Sequence, residues 1–286
     1  MDIIINEFSL EEQFENVDAF FNSLNEVISI QKMMDNCSMK MLKHQEIYNH
    51  KVTQEQTLHE ILIDKRIRTT NELRKFKSFL HKLMTDPPFW QENQQHDSMN
   101  VYTCDYTSET HGYSLAEACE RDKMVLSFKN QKFDNVSLYV RKNGEKISII
   151  NLTDTIFFAE YLKENKLLDI NRYCEYRFID TNISFSKLDP HYGFDILEEE
   201  EINIFISSFI RFSEMTWDEI TLSDGLEFKK YQPASKKADW FANTPYKDKQ
   251  IFKFRTNQKC RCFGYRDGDV FYVLRFEKDH KVSDHG

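Results

Sequence analysis

Two apolar periods run along this chain, one near 3.6 residues and one of two, and they divide it into helices and strands. After the capping box Ser9-Leu10-Glu11-Glu12, the residues Phe14, Val17, Phe21, Leu24 and Ile28 recur at helical spacing, so a helix is expected to start there. A second long helix is expected from about Thr57 to Met84 on the stripe Leu58, Ile61, Leu62, Leu73, Phe76, Phe79, Leu80 and Leu83. Asp86-Pro87-Pro88 stops it, because proline removes the donor that the next turn needs. Phe89 and Trp90 then fold back onto this helical region.

The middle of the chain changes period. Ser114-Leu115-Ala116-Glu117 reads as another capping box, for a short helix to about Lys123, and Met124 to Phe128 reads as a strand. Strands at Leu138–Val140 and Ile147–Ile150 flank Asn143-Gly144, a dipeptide suited to a type I′ hairpin turn. Thr153 to Lys166 returns to helix, and Cys174 to Ile179 is read as a strand. Glu198-Glu199-Glu200-Glu201 precede Ile202, Phe205, Ile206, Phe209 and Phe212; four carboxylates there complement the positive end of a helix from about Leu197 to Ile220.

At the end of the chain, Asp267-Gly268 marks a two-residue hairpin turn between alternating strands. This turn pairs Arg266 with Asp269, Tyr265 with Val270, Phe263 with Tyr272 and Arg261 with Leu274. One face then carries Arg261, Phe263, Tyr265, Val270, Tyr272 and Leu274, the other Cys260, Cys262, Gly264, Arg266, Phe271, Val273 and Arg275. Ile251 to Arg255 supplies a third strand. Which face is open to solvent does not follow from the pattern.

Charge sharpens this picture. From Leu226 to Gly286 there are 14 Lys/Arg against 8 Asp/Glu, a net of +6, while residues 1–225 carry a net of −15. A basic block on an acidic body calls for an anionic partner or for a mate on the same chain. With 40% hydrophobic and 14% aromatic residues in 286, the chain fills a real core, which excludes disorder. The six cysteines form no C-x-x-C pair, and they are read as reduced packing residues. No run of eighteen apolar residues occurs, and the first residues lack the basic flank of a secretory signal, so a cytoplasmic protein without membrane contact is expected. P-loop, dinucleotide-binding, H-E-x-x-H, zinc-finger and G-x-S-x-G patterns are absent, and no cofactor or metal is expected.

The fold expected is α+β: a helical N-terminal region over residues 1–89, a small α/β middle over 90–185, and a basic C-terminal unit over 186–286 with an antiparallel sheet and a packed helix. A strand ending Phe254-Arg255, a second reading Arg261-x-Phe263-Gly264-Tyr265-Arg266, an Asp-Gly turn, a third strand Val270-Phe271-Tyr272-Val273-Leu274 and a closing Lys/His cluster resemble the core of the RelE/ParE toxin superfamily, its HigB-like members above all. The whole chain is also similar to uncharacterised bacterial proteins associated with phage defence. The resemblance implies metal-independent RNA cleavage, with Arg261, Tyr265, Arg266, His280 and His285 in catalysis, and Arg255, Lys259, Arg275 and Lys281 on the nucleic acid. Guanidinium forks match phosphate oxygens, and imidazole moves protons near neutral pH. On this view Arg261→Ala, Arg266→Ala or His280→Ala abolishes activity and leaves the fold intact.

Plainer readings stand beside these roles. Arg266 pairs with Asp269 across the turn, Tyr265 is an ordinary sheet aromatic, and His280 and His285 belong to a charged, frayed tail. Two other functions fit the same residues. A metal-dependent nuclease would use Glu227 and Lys229 with Asp218 and Glu219. A non-catalytic subunit of a defence or toxin–antitoxin complex would dock a protein partner through its acidic helical N-terminal region, or shield the basic block with it.

Overall fold

The computed structural model describes residues 1–66, 71–107, 110–235, 238–279 and 281–282, leaving aside the side chains of Asn71 and Glu72. The chain divides into two compact units, Met1–Tyr161 and Leu162–Gly286. Both mix helices with a sheet, so the α+β expectation holds at that level.

The first unit contains β1 (Asp2–Ile5), α1 (Val17–Asn36), β2 (Lys40–Leu42), α2 (Leu58–Ile63), α3 (Asn71–Thr85), β3 (Tyr102–Cys104), α4 (Ser114–Glu120), β4 (Met124–Leu126), β5 (Ser137–Lys142), β6 (Glu145–Leu152) and most of α5 (Thr155–Glu164). Its sheet runs β2-β1-β4-β6-β5-β3, parallel from β2 to β6 and antiparallel at β5 and β3. The first 89 residues are therefore not a separate helical region. Ile3, Ile4 and Ile5 have no alternation because β1 is covered on both faces, and its pairing with β4 ties the start of the chain to its middle. Ser9 does not cap a helix: it is buried, its hydroxyl donates to Asn6 O and accepts from Phe128 N, and α1 starts at Val17 behind Asn16, whose side chain accepts from Ala19 N. The long helix expected from Thr57 is two helices. Its capping box, Thr57 with Glu60, is present, and it ends at Thr85 just before Asp86-Pro87-Pro88. At the Asn143-Gly144 turn both residues have positive φ, 51° and 89°, and Lys142 pairs with Glu145, as a type I′ hairpin requires.

The second unit contains α6 (Ile170–Arg177), β7 (Ile183–Ser184), α7 (Glu199–Ser213), α8 (Trp217–Leu222), β8 (Lys229–Lys230), β9 (Ile251–Arg255), β10 (Arg261–Asp267) and β11 (Val270–Glu277). The expected strand at Cys174 is helix. Asp169 caps it by accepting from Arg172 N at 3.0 Å, and Tyr173, Cys174 and Phe178 bury at helical spacing. The helix expected from about Leu197 to Ile220 is two: in α7, Glu198 and Glu201 form a capping box, and the helix ends at Ser213 because Thr216 and Glu219 start α8 with another. The sheet runs β7-β11-β10-β9-β8, with β7 parallel to β11, so it is mixed rather than wholly antiparallel. Its two edge strands are each two residues long, and Lys229 and Lys230 charge one of them, which blunts it against further pairing.

Candidate nucleic-acid interface

The β10–β11 hairpin sets where each arginine points. Asp267 pairs with Val270 and Arg266 with Phe271, so Gly268-Asp269 forms the turn, two residues on in the pairing from the expected register. Gly268 has φ +59°, as the first position of a type II′ turn needs. The shift is even and keeps the faces, but a bulge changes them further along. Phe263 pairs with Arg275 and Gly264 with Val273, which leaves Leu274 as the extra residue and turns Arg275 to the face of Phe263 and Tyr265. Neither face is open along its length. Phe254, Phe271 and Phe276 lie under Phe205, Phe209 and Phe212 of α7, with ring centroids as close as 4.6 Å. Phe263 and Tyr265 lie under Tyr231, Trp240, Phe241 and Tyr246.

Each arginine is occupied by its own chain. Arg261 is only 5% exposed, and its Nη1 donates to the carbonyls of Asn257 at 2.9 Å, Cys260 at 2.9 Å and Gln258 at 3.3 Å. Burial, and next the neighbouring Arg255 charge, push its guanidinium below the usual range. Arg255 holds Glu227 at 2.6 Å. Arg266 donates to Gly268 O at 2.8 Å, reaches Asp269 at 3.4 Å and lies over the Trp217 ring at 3.8 Å, so the plain reading of this residue describes it. Arg275 donates to Asp189 at 3.0 and 3.2 Å and to Trp240 O at 2.6 Å, among the rings of Tyr192, Trp240 and Phe241.

The other candidates do not join them. Tyr265 is buried, stacks on Tyr272 at 5.1 Å and carries Lys249 over its ring at 5.0 Å; burial first, then neighbouring phenols, raises its pKa. Lys259 sits exposed in the β9–β10 turn, its backbone N–H donating to Asn257 Oδ1 at 2.9 Å. Lys281 pairs with Asp279. His280 and His285 lie outside the described residues. The carboxylates of the metal reading have other work: Glu227 holds Arg255, and Glu219 closes the α8 capping box. Among the described residues, no group of three or more His, Cys, Asp or Glu side chains is arranged to hold a metal ion.

Several polar groups escaped the sequence reading. Lys253 is buried on the strand beside β10, where burial and then the Lys229 and Arg261 charges lower its pKa. In the first unit, Glu117 is fully buried and accepts from Gln95 N, His96 N and Arg121 Nε, while His96 faces it with Nδ1 at 2.6 Å. Nε2 of His96 faces the carbonyl of His111 at 2.7 Å, so both ring nitrogens are engaged and neither is free for proton transfer. Burial raises the Glu117 pKa, but the hydrogen bonds from His96, Arg121 and Gln95 outweigh it and hold the carboxyl below its usual range. These residues stand 21 positions apart, and nothing in the local pattern joins them. Comparison of the chain with family models, with curated proteins and with solved structures found no match in any of the three.

Proposed function

We propose that this chain is a non-catalytic interaction subunit, the member of a toxin–antitoxin or antiphage-defence complex that binds rather than cuts. The observation that carries this reading is the separate commitment of the sheet arginines: Arg255 to Glu227, Arg266 to Asp269, Arg275 to Asp189, and Arg261 to the carbonyls of Asn257, Gln258 and Cys260. A ribonuclease site needs cations converging on one phosphate with a base beside them, and donors already engaged must first be released. A helix followed by the three-stranded β9–β10–β11 meander supports a RelE-like scaffold. The proposal keeps that scaffold and parts from the family in chemistry. The acidic first 225 residues, net −15, supply charge for a basic protein partner.

End-labelled single-stranded RNA incubated with the purified full chain, once in EDTA and once in Mg²⁺, is the test. The RNA is expected to stay intact in both. Cleavage above the buffer control that disappears in Arg255→Ala would overturn the proposal.

A further inference from the structure

Beside the polar side of α7, facing Gly225 and Thr256, lies an open cleft of about 410 Å³. This is the size of a small-ligand site. Asn203, Ser207 and Arg211 are spaced four residues apart on α7, which stacks an amide, a hydroxyl and a guanidinium in one stripe along the cleft. Arg255 and Thr256 line the opposite side, and no carboxylate is among the described residues of the lining.

Arg211 differs from the arginines of the sheet. Among the described residues it has no acidic partner, and its one hydrogen bond is a long contact of Nη2 with Ser223 Oγ at 3.5 Å. Its guanidinium lies against Gly225, where an added Cβ would come within 2.9 Å of Nη1 and 3.0 Å of Nη2. Glycine at this position therefore makes the seat for the charge. Two more donors of lining residues are buried and end without an acceptor: Arg255 Nε, whose neighbouring Nη2 holds Glu227, and Thr256 Oγ1. A concave surface with an uncompensated guanidinium, one unpartnered hydroxyl and one unpartnered guanidinium N–H beside it suits an oxyanion.

We infer that this cleft binds a phosphoryl group, with Arg211 as its main contact. A phosphate offers several oxygens, enough for the guanidinium fork of Arg211 and the unpartnered hydroxyl of Thr256 together, while the Ser207 hydroxyl donates to Asn203 O at 2.8 Å. The inference does not depend on whether the chain cleaves RNA. The source is either a free phosphate compound or the backbone of a nucleic acid, and the experiment separates them.

The test is calorimetric titration of the full chain at low ionic strength with inorganic phosphate, with a nucleoside 5′-monophosphate and with a short single-stranded RNA. Saturable binding of at least one is expected, weakened at least tenfold in Arg211→Gln. Gly225→Ala keeps the charge but displaces it, and is expected to weaken the same binding at least fivefold. Arg211 is exposed, so Arg211→Gln is expected to keep the wild-type circular dichroism spectrum. Binding of phosphate or the monophosphate assigns the cleft to a free phosphate compound; binding of RNA alone assigns it to the nucleic-acid backbone. Absence of saturable binding by all three probes, or binding by Arg211→Gln within twofold of wild type, overturns the inference. RNA cleavage is a separate readout, so the proposed function and this cleft can fail independently.

Discussion

A guanidinium on a strand serves an incoming phosphate or its own chain, and what already occupies its five donors decides which. Arg275 and Arg266 make the comparison. Arg275 has its side chain 12% exposed, with two donors on Asp189, one on the carbonyl of Trp240, and aromatic rings around it. Truncating it leaves a partly buried carboxylate and a carbonyl unpaired, so Arg275→Ala is expected to cost about 3 kcal/mol of unfolding free energy. Arg266 is more open, and its partner Asp269 is 91% exposed, so Arg266→Ala is expected to change stability by no more than about 1 kcal/mol. Urea denaturation of the two variants checks both; equal effects would contradict the assignment.

Glu7 gives a prediction in pH. It is fully buried at the end of β1, and burial raises its pKa above 4.5, opposed by hydrogen bonds from Ser114. A carboxyl whose folded pKa is raised binds its proton more tightly in the folded state. Its contribution to stability is therefore complete below the unfolded pKa and is lost as pH rises through the folded value. Glu7→Gln keeps one of the two acceptors for Ser114 and removes this titration. The stability of the variant relative to wild type is expected to increase as pH is raised from about 4.5 towards neutrality, followed by urea denaturation at each pH. A constant difference across that range would show that Glu7 does not titrate as its burial requires.

At the scale of elements, what was legible depended on how local the cause was. The Asn143-Gly144 hairpin, the stop before Pro87-Pro88 and the Glu198 helix start are dictated by a few adjacent residues, and the sequence reading placed them correctly. The misreadings came from distant partners. Ile3-Ile4-Ile5 has no alternation to announce a strand, because β1 lies inside the sheet between β2 and β4 and is buried on both faces. Cys174–Ile179 alternates like a strand, yet the Asp169 cap upstream makes it helical. The β10–β11 bulge was equally invisible, since it is fitted to the carbonyl of Tyr272 and the ring of Phe271. An added Cβ at Gly264 would come within 2.2 Å of that carbonyl oxygen and 2.7 Å of the ring, the first of these a backbone atom. Gly264→Ala is therefore expected to destabilise by about 2–3 kcal/mol in chemical denaturation, whereas a loss below about 0.5 kcal/mol would mean that the strands can move apart there.

At the scale of the whole molecule, two of the six surplus positive charges of the last sixty-one residues meet carboxylates from upstream in the second unit, and other basic residues of the block pair within it. Arg275 takes Asp189 and Lys278 takes Glu201, both from upstream of the block, while Glu227, Asp269 and Asp279 serve their neighbours within it. The candidate site was thus legible as charge but not as geometry. Arg255, Arg261, Arg266 and Arg275 were singled out as phosphate contacts, but their partners, up to 86 residues away, are groups of the same chain. Arg211, an arginine without an acidic partner among the described residues, has an ordinary place for a basic residue in the last turn of a helix.

The central claim is that the sheet arginines stabilise this chain instead of acting on a substrate, and Arg261 tests it most directly. Chemical denaturation of the full chain is expected to show that Arg261→Ala loses about 2–4 kcal/mol, because the buried Cys260 carbonyl loses this donor and the space of a side chain on a residue only 5% exposed is emptied. Unchanged unfolding in Arg261→Ala, together with loss of an RNA-directed activity present in the wild type, would contradict that claim and return the residue to catalysis.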